Sequence, residues 1–202
     1  MIAVIALAGC SAGQVAETAL LKSPISGLNT QSPDGKLLIR NLQISYNNPK
    51  GYPANGAAPL EGSFFNQGTD PITVTITSRP QTDVVANVVS AQQVGLGPAP
   101  AASSAAPAPD ASASAPAAPA SALQPAKFTI APLGSQIFLT TTNPALQAAG
   151  LSNDLRPGYS LSLTVQVAGG QPFDVIAPFA VPTSPASRGP AVVDDEGKES
   201  EG

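Results

Sequence analysis

The sequence predicts an all-β fold, a Greek-key β-sandwich of about seven to eight short strands. Three observations carry this expectation. Pro71–Ser78 (PITVTITS) alternates strictly, with Ile72, Val74 and Ile76 on one face and Thr73, Thr75 and Thr77 on the other. Tyr159–Val167 (YSLSLTVQV) alternates in the same way, with Leu161, Leu163, Val165 and Val167 on one face. Short β-branched runs elsewhere are separated by Gly, Pro, Asn and Asp turn chemistry.

Taken along the chain, the first strand is Lys36–Tyr46 (KLLIRNLQISY), which follows the turn signal Asp34-Gly35. Its expected core face is Leu38, Leu42, Ile44 and Tyr46. Residues 47–59 (NNPKGYPANGAAP) read as a loop. Leu60–Asn66 reads as a strand and Gln67-Gly68-Thr69-Asp70 as a turn into the strand at 71–78. Asp83–Ala91 is a further β-branched run. Lys127–Ala131 and Gln136–Thr141 read as strands, Asn143–Ser152 as a single helical turn, and Arg156-Pro157-Gly158 as a turn. After Tyr159–Val167, Ala168-Gly169-Gly170 reverses the chain and Phe173–Val181 is the last strand.

Residues 96–125 differ in composition: Ala, Pro and Ser dominate, with a single charge at Asp110. Such a stretch has almost nothing to build a core with, and its prolines favour extended segments of roughly 3.1 Å per residue. Its serines are candidate O-glycosylation sites. The halves 36–92 and 126–181 hold about four strands each, too few to bury a core alone. They are therefore read as one domain, 36–181, interrupted by the disordered insert 96–125. Such an insert is tolerated because loop-closure entropy grows only logarithmically. Residues 182–202 read as a disordered acidic tail, with Asp194, Asp195, Glu196, Glu199 and Glu201 near its end.

The N-terminal stretch MIAVIALAGCSAGQ poses a separate question. Gly9-Cys10-Ser11-Ala12-Gly13 spells the nucleophile elbow G-x-S-x-G, but that motif needs a histidine base and the chain has none. A buried core cysteine is the plain alternative for Cys10. Leu7-Ala8-Gly9-Cys10 instead resembles a bacterial lipobox, behind the short apolar run Ile2–Leu7. On that reading residues 1–9 are a lipoprotein signal peptide, Cys10 carries the lipid, and 10–35 form a flexible tether. Two or more acyl chains hold a protein stably at a membrane, which places it on the extracytoplasmic face of the cell membrane. No Lys or Arg precedes the apolar run, so the start of the signal peptide is expected upstream, or trimmed in this chain.

Composition excludes several chemistries. The chain carries 9 basic and 13 acidic residues, net charge −4, and no basic patch, so nucleic-acid binding has no support. One cysteine allows no internal disulfide. No run of about 18 apolar residues is present. Histidine-based catalysis, Ser-x-x-Lys, phosphate-binding Gly loops and Cys/His zinc clusters are all missing from the sequence. Carboxylates at Glu61, Asp70, Asp83, Asp154 and Asp174 read as turn or surface acids. No cofactor and no small-molecule substrate is expected.

Three segments resemble the PCuAC copper-chaperone domain: LEGSFFNQGTDPITVTI, KFTIAPLGSQIFLTT and NPALQAAGLSNDLRPGYSLSLTVQV. With the lipobox and the Ala/Pro insert, the pattern is similar to the actinobacterial lipoprotein family LpqE. The resemblance implies a cupredoxin- or Ig-like sandwich. It also implies a copper site of two histidines and two methionines, falling around 87–93 and 143–149. This chain has no histidine and its one methionine is Met1. The fold carries over and the metal chemistry, which needs imidazole and thioether ligands for Cu(I), does not. The resemblance further implies a non-catalytic accessory or assembly subunit on the outer face of the respiratory complex III–complex IV supercomplex. The alternatives are a cell-envelope ligand-binding module and a copper-handling accessory protein for oxidase maturation without its own metal site. Tyr46, Lys50 and Tyr52, in and beside the loop 47–59, are the candidate partner-binding residues, since exposed tyrosines anchor interfaces.

Overall fold

A computed structural model describes residues 26–80, 86–99 and 123–182. Among them there is no helix, and the strands are β1 (Leu28–Gln31), β2 (Leu37–Ile44), β3 (Ala57–Asn66), β4 (Ile72–Ser78), β5 (Val88–Val89), β6 (Ala91–Gly97), β7 (Gln124–Ile130), β8 (Ser135–Phe138), β9 (Ala145–Leu151), β10 (Ser160–Val167) and β11 (Phe173–Pro178). The all-β sandwich is as the sequence implies; the higher strand count comes from the short strands β1, β5 and β8. Cys10, the Ala/Pro/Ser residues 100–122 and the tail 183–202 lie outside the described residues.

Strand order is β1-β2-β3-β9-β6-β7-β4-β10-β11, with β8 beside β3 and β5 beside β10. β7 is the corner strand that joins the two layers. Its Gln124 and Pro125 pair with Leu96 and Gly95 of β6, while Ala126–Ile130 pair with β4. On the opposite flank an isolated bridge between Ile44 and Phe179 brings β2 against the end of β11, so the sheet almost closes on itself. Near-closure of this kind reduces the exposed edges that invite aggregation, leaving β1 and β11 as edge strands.

Alternation works as expected where both strands are regular. Ile72, Val74 and Ile76 of β4 and Leu161, Leu163, Val165 and Val167 of β10 all face the core. On the outer face Thr73 and Thr129 meet through their hydroxyls at 3.1 Å. Between the layers Phe64, Phe128 and Phe138 pack edge-on, with ring centroids 5.0–5.9 Å apart. Together the three rings fill part of the interior between the layers. At the far end of β3 the buried Asn66 amide bonds to the Asp70 and Ala131 carbonyls and accepts from the Gly68 amide, pinning the 67–70 turn to the end of β7. No buried side-chain nitrogen or oxygen among the described residues lacks a partner.

The structure corrects five expectations. The tether does not run to residue 35: Leu28–Gln31 form β1 and pair with β2, with Leu28 packed on the core. The buried face of β2 is Leu37, Ile39, Leu42 and Ile44, not one that includes Leu38. A bulge explains this, since the pairs Arg40↔Ser63 and Gln43↔Glu61 set two residues of β2 against Gly62 alone. Asn41 takes φ 52° there, and its amide donates to the Asn29 side chain at 2.8 Å. The extra residue inverts the inside–outside parity downstream. The Asn143–Ser152 helical turn is instead β9, buried between β3 and β6 and paired with both. Its Ala and Gln residues favour helix, and two open strand edges override that preference. The insert is shorter than 96–125, because Leu96, Gly97, Gln124 and Pro125 belong to β6 and β7. The last strand ends at Pro178.

An Asn41→Val substitution puts a β-branched residue at a left-handed φ, where it costs about 1–3 kcal/mol. Urea denaturation is expected to show that loss, while Asn41→Gly is expected to stay close to the parent protein.

Candidate functional site

The loop between β2 and β3 carries the three residues that sequence reasoning singled out. Its hold on the barrel comes from a second loop, 152–159, that it pairs with. Tyr52 and Leu155 exchange both backbone hydrogen bonds at 2.9 Å. The Asn55 amide donates to Leu151, and the Ala54 amide donates to the Asp154 carboxylate at 3.0 Å. Gly51 sits at φ 74° because a Cβ there would collide with the Leu155 carbonyl. The Asn48 side chain accepts from the Lys50 amide at 2.8 Å, an Asx turn that shapes the loop tip.

Tyr46 and Tyr52 are not free-standing anchors. Both are half-buried and pack on Phe179, with ring centroids at 6.1 and 5.9 Å. The Tyr52 hydroxyl donates to the Ser45 carbonyl at 2.9 Å. Burial, with a smaller contribution from the Glu61 carboxylate, pushes its phenol up to about 12. Lys50 alone of the three is exposed. Phe179, Asp154, Arg156 and Tyr159 complete this end of the molecule and were missed from sequence. Arg156 lies 5.9 Å from the Tyr159 ring centroid and 3.5 Å from Asp154. The only sequence signal for them is the turn chemistry of Asn153-Asp154 and Pro157-Gly158.

The two segments where the resemblance puts copper ligands do come together. β6 and β9 run antiparallel, pairing Ala91 with Leu151 through Gly97 with Ala145. The functional groups there are amides with a structural task. Gln147 donates to the Pro98 carbonyl at 2.6 Å, and Gln93 donates to the Leu123 carbonyl at 2.8 Å. The two glutamines clip the outgoing and returning ends of the Ala/Pro segment to the barrel. No three His, Cys, Asp or Glu residues converge among the described residues.

The described acids are engaged separately. Glu61 accepts from the Thr140 amide and from Gln43, and Asp174 accepts from Thr164 and pairs with Arg79 at 3.1 Å. Asp70 lines an open depression of about 370 Å³ at the opposite end of the barrel, with Lys36, Pro71, Ile72, Thr73 and Val167. Asp83 lies outside the described residues.

No family model matches the sequence, and no curated protein is similar to it. Solved structures similar to this chain are an apo PCuAC domain from PmoF1 (11% identity, TM-score 0.49), a copper-bound PCuAC domain from PmoF2 (11%, 0.47) and an apo PmoF2 PCuAC domain (13%, 0.45). Each alignment covers 77% of this chain and 96–100% of the other. At these identities and scores the likeness carries nothing about copper across to this chain.

Two outcomes are expected. The phenolate absorbance lost on Tyr52→Phe belongs to a group that titrates near pH 12. Below pH 10 folded and unfolded chains both hold that proton. Between about 10 and 12 the unfolded chain releases it first, so stability falls as pH rises through that window. A spectrophotometric titration paired with urea midpoints at pH 9 and 11.5 checks both points. Separately, Gln147→Ala removes a buried amide and costs about 1–2 kcal/mol, whereas the exposed Gln93→Ala stays within about 0.5 kcal/mol of the parent; urea midpoints of the two variants check this.

Proposed function

We propose that this chain is a membrane-anchored extracytoplasmic lipoprotein and acts as a non-catalytic accessory or assembly subunit, docked to the respiratory complex III–complex IV supercomplex. The anchor in this reading is a lipid on Cys10, within Leu7-Ala8-Gly9-Cys10. A protein confined to the membrane meets a membrane-embedded partner at a raised effective concentration.

One observation carries the accessory role. Where this architecture has room for chemistry, the polar side chains are spent on holding backbone: Gln93 and Gln147 clip the Ala/Pro segment, and Asp154 clips the 45–56 loop. A side chain that already holds backbone is poorly placed to serve as a metal ligand or a general base. What such a frame offers a partner is a rigid surface. The choice of the respiratory supercomplex rests on the resemblance to the LpqE lipoproteins of the PCuAC-like segments, the lipobox and the Ala/Pro insert taken together.

The test is a mild-detergent pull-down from native membranes, with mass spectrometry of bait and partners, repeated with Cys10→Ser. Respiratory-complex subunits are expected with the parent protein, acyl mass is expected on Cys10, and both are expected to vanish in the variant. A bait that carries acyl mass but retains no respiratory subunit removes the supercomplex from the reading. A bait without acyl mass removes the anchor.

A further inference from the structure

We propose that the end of the barrel built from residues 45–56 and 152–159 rests on the phospholipid surface, with its tyrosines at headgroup depth. The proposal deepens the anchored-lipoprotein reading above and rests on it.

Both ends of the described chain leave the barrel here. Ser26 donates to the Gln43 side chain, one residue before Ile44. The Ala180 amide donates to the Ile44 carbonyl, leaving Val181 64% exposed. Cys10 precedes Ser26 by sixteen positions, so a lipid on Cys10 connects to the barrel at this end.

The side chains at this end suit an interface. All three tyrosines of the chain, Tyr46, Tyr52 and Tyr159, are here, and the chain has no tryptophan. Each ring is half-buried, with its apolar body against the barrel. Rings of this amphipathic kind concentrate where hydrocarbon gives way to headgroups. Lys50 is exposed at the loop tip and Arg156 is half-exposed beside Tyr159; Asp154 is the single acid of the two loops. Glu61 also faces Tyr52 from β3, so the cations and acids here balance; Arg156 is paired with Asp154, while Lys50 at the tip has no ion pair among the described residues, and exposed cations are drawn to anionic headgroups. The turns at the opposite end, 32–36, 67–71, 131–134 and 168–172, hold Asp34, Asp70 and Lys36 and no aromatic residue. Their exposed Leu133 stands alone.

The sequence supplies its own probe. With no tryptophan, intrinsic emission comes only from this end, and the single cysteine permits attachment at Cys10 alone. The full chain is coupled through Cys10 to maleimide-bearing lipid in phosphatidylcholine–phosphatidylglycerol vesicles, which removes any dependence on natural acylation. Tyrosine emission is then read with nitroxides placed either at the headgroup or deep in the acyl chain. The expected result is a larger loss of emission with the headgroup nitroxide. That loss should shrink in a Lys50→Glu/Arg156→Glu variant and persist in Leu133→Asn. Attached protein that floats with the vesicles yet shows no loss overturns the proposal, as does a loss untouched by the charge reversal. The acyl mass on Cys10 from native membranes tests the anchor independently, so the two failures are distinguishable.

Discussion

The side-chain amide of Asn66 is buried where three stretches of backbone meet, stretches that the Leu133 amide on the Gly68 carbonyl and the pairing of Ile72 with Ile130 also tie. It reaches the Asp70 carbonyl at the end of a turn, the Ala131 carbonyl at the end of β7, and the Gly68 amide. The Asn66 backbone amide meanwhile donates to Gly134, at the entry to β8. Without this group the Gly68 amide and the Asp70 and Ala131 carbonyls lose their side-chain partner, at a net cost of about 0.5–1.5 kcal/mol for each bond. The turn it fixes delivers Ile72 into β4, and β4 is the strand on which β7 and β10 both depend for register. One residue at the end of β3 thus helps to fix the second layer over the first, together with the corner strand β7 and the Ile44–Phe179 bridge.

The same economy recurs at the other end, with backbone and aromatic rings in place of an amide. Ile44 is where the first long strand meets the last: Phe179 bridges to it, and Tyr46 and Tyr52 close over Phe179. The Phe64–Phe128–Phe138 cluster occupies the interior between these two locks. The described part of the barrel is thus held from within at both ends and in the middle.

The sequence made β4 and β10 readable because each stays regular and has one face in the core throughout. β2 misled because its bulge at Asn41 inverts parity midway, and nothing in KLLIRNLQISY except the asparagine hints at it. β9 was hidden because the composition of ALQAAGL carries no strand preference; its conformation is dictated by Ala57–Leu60 and Ala91–Gly97 on either side. β1 was hidden because LNTQ is polar and lies on an edge. At the candidate site, the loop was evident from its prolines and glycines, but it was read as 47–59 and its last three residues, Ala57–Pro59, pair with β9 as the start of β3. The burial of Tyr46 and Tyr52 was not, since their partner Phe179 is more than a hundred residues further on and only closure of the barrel brings it near.

The excursion between β6 and β7 starts and ends at neighbouring points. Gly95 and Leu96 pair with Pro125 and Gln124, and the two glutamines seize the carbonyls just beyond. Gly95 and Gly97 have no side chain because Leu123 and the Gln124 carbonyl pass directly over them. Both ends of the stretch from Pro98 to Leu123 are therefore clamped to the barrel within a few residues of each other. Since the entropy of closing a loop rises only slowly with its length, the junction is a natural splice point. Evolution can lengthen, shorten or rewrite the intervening sequence there, and an engineer can graft a foreign domain, while the register of every strand stays as it is.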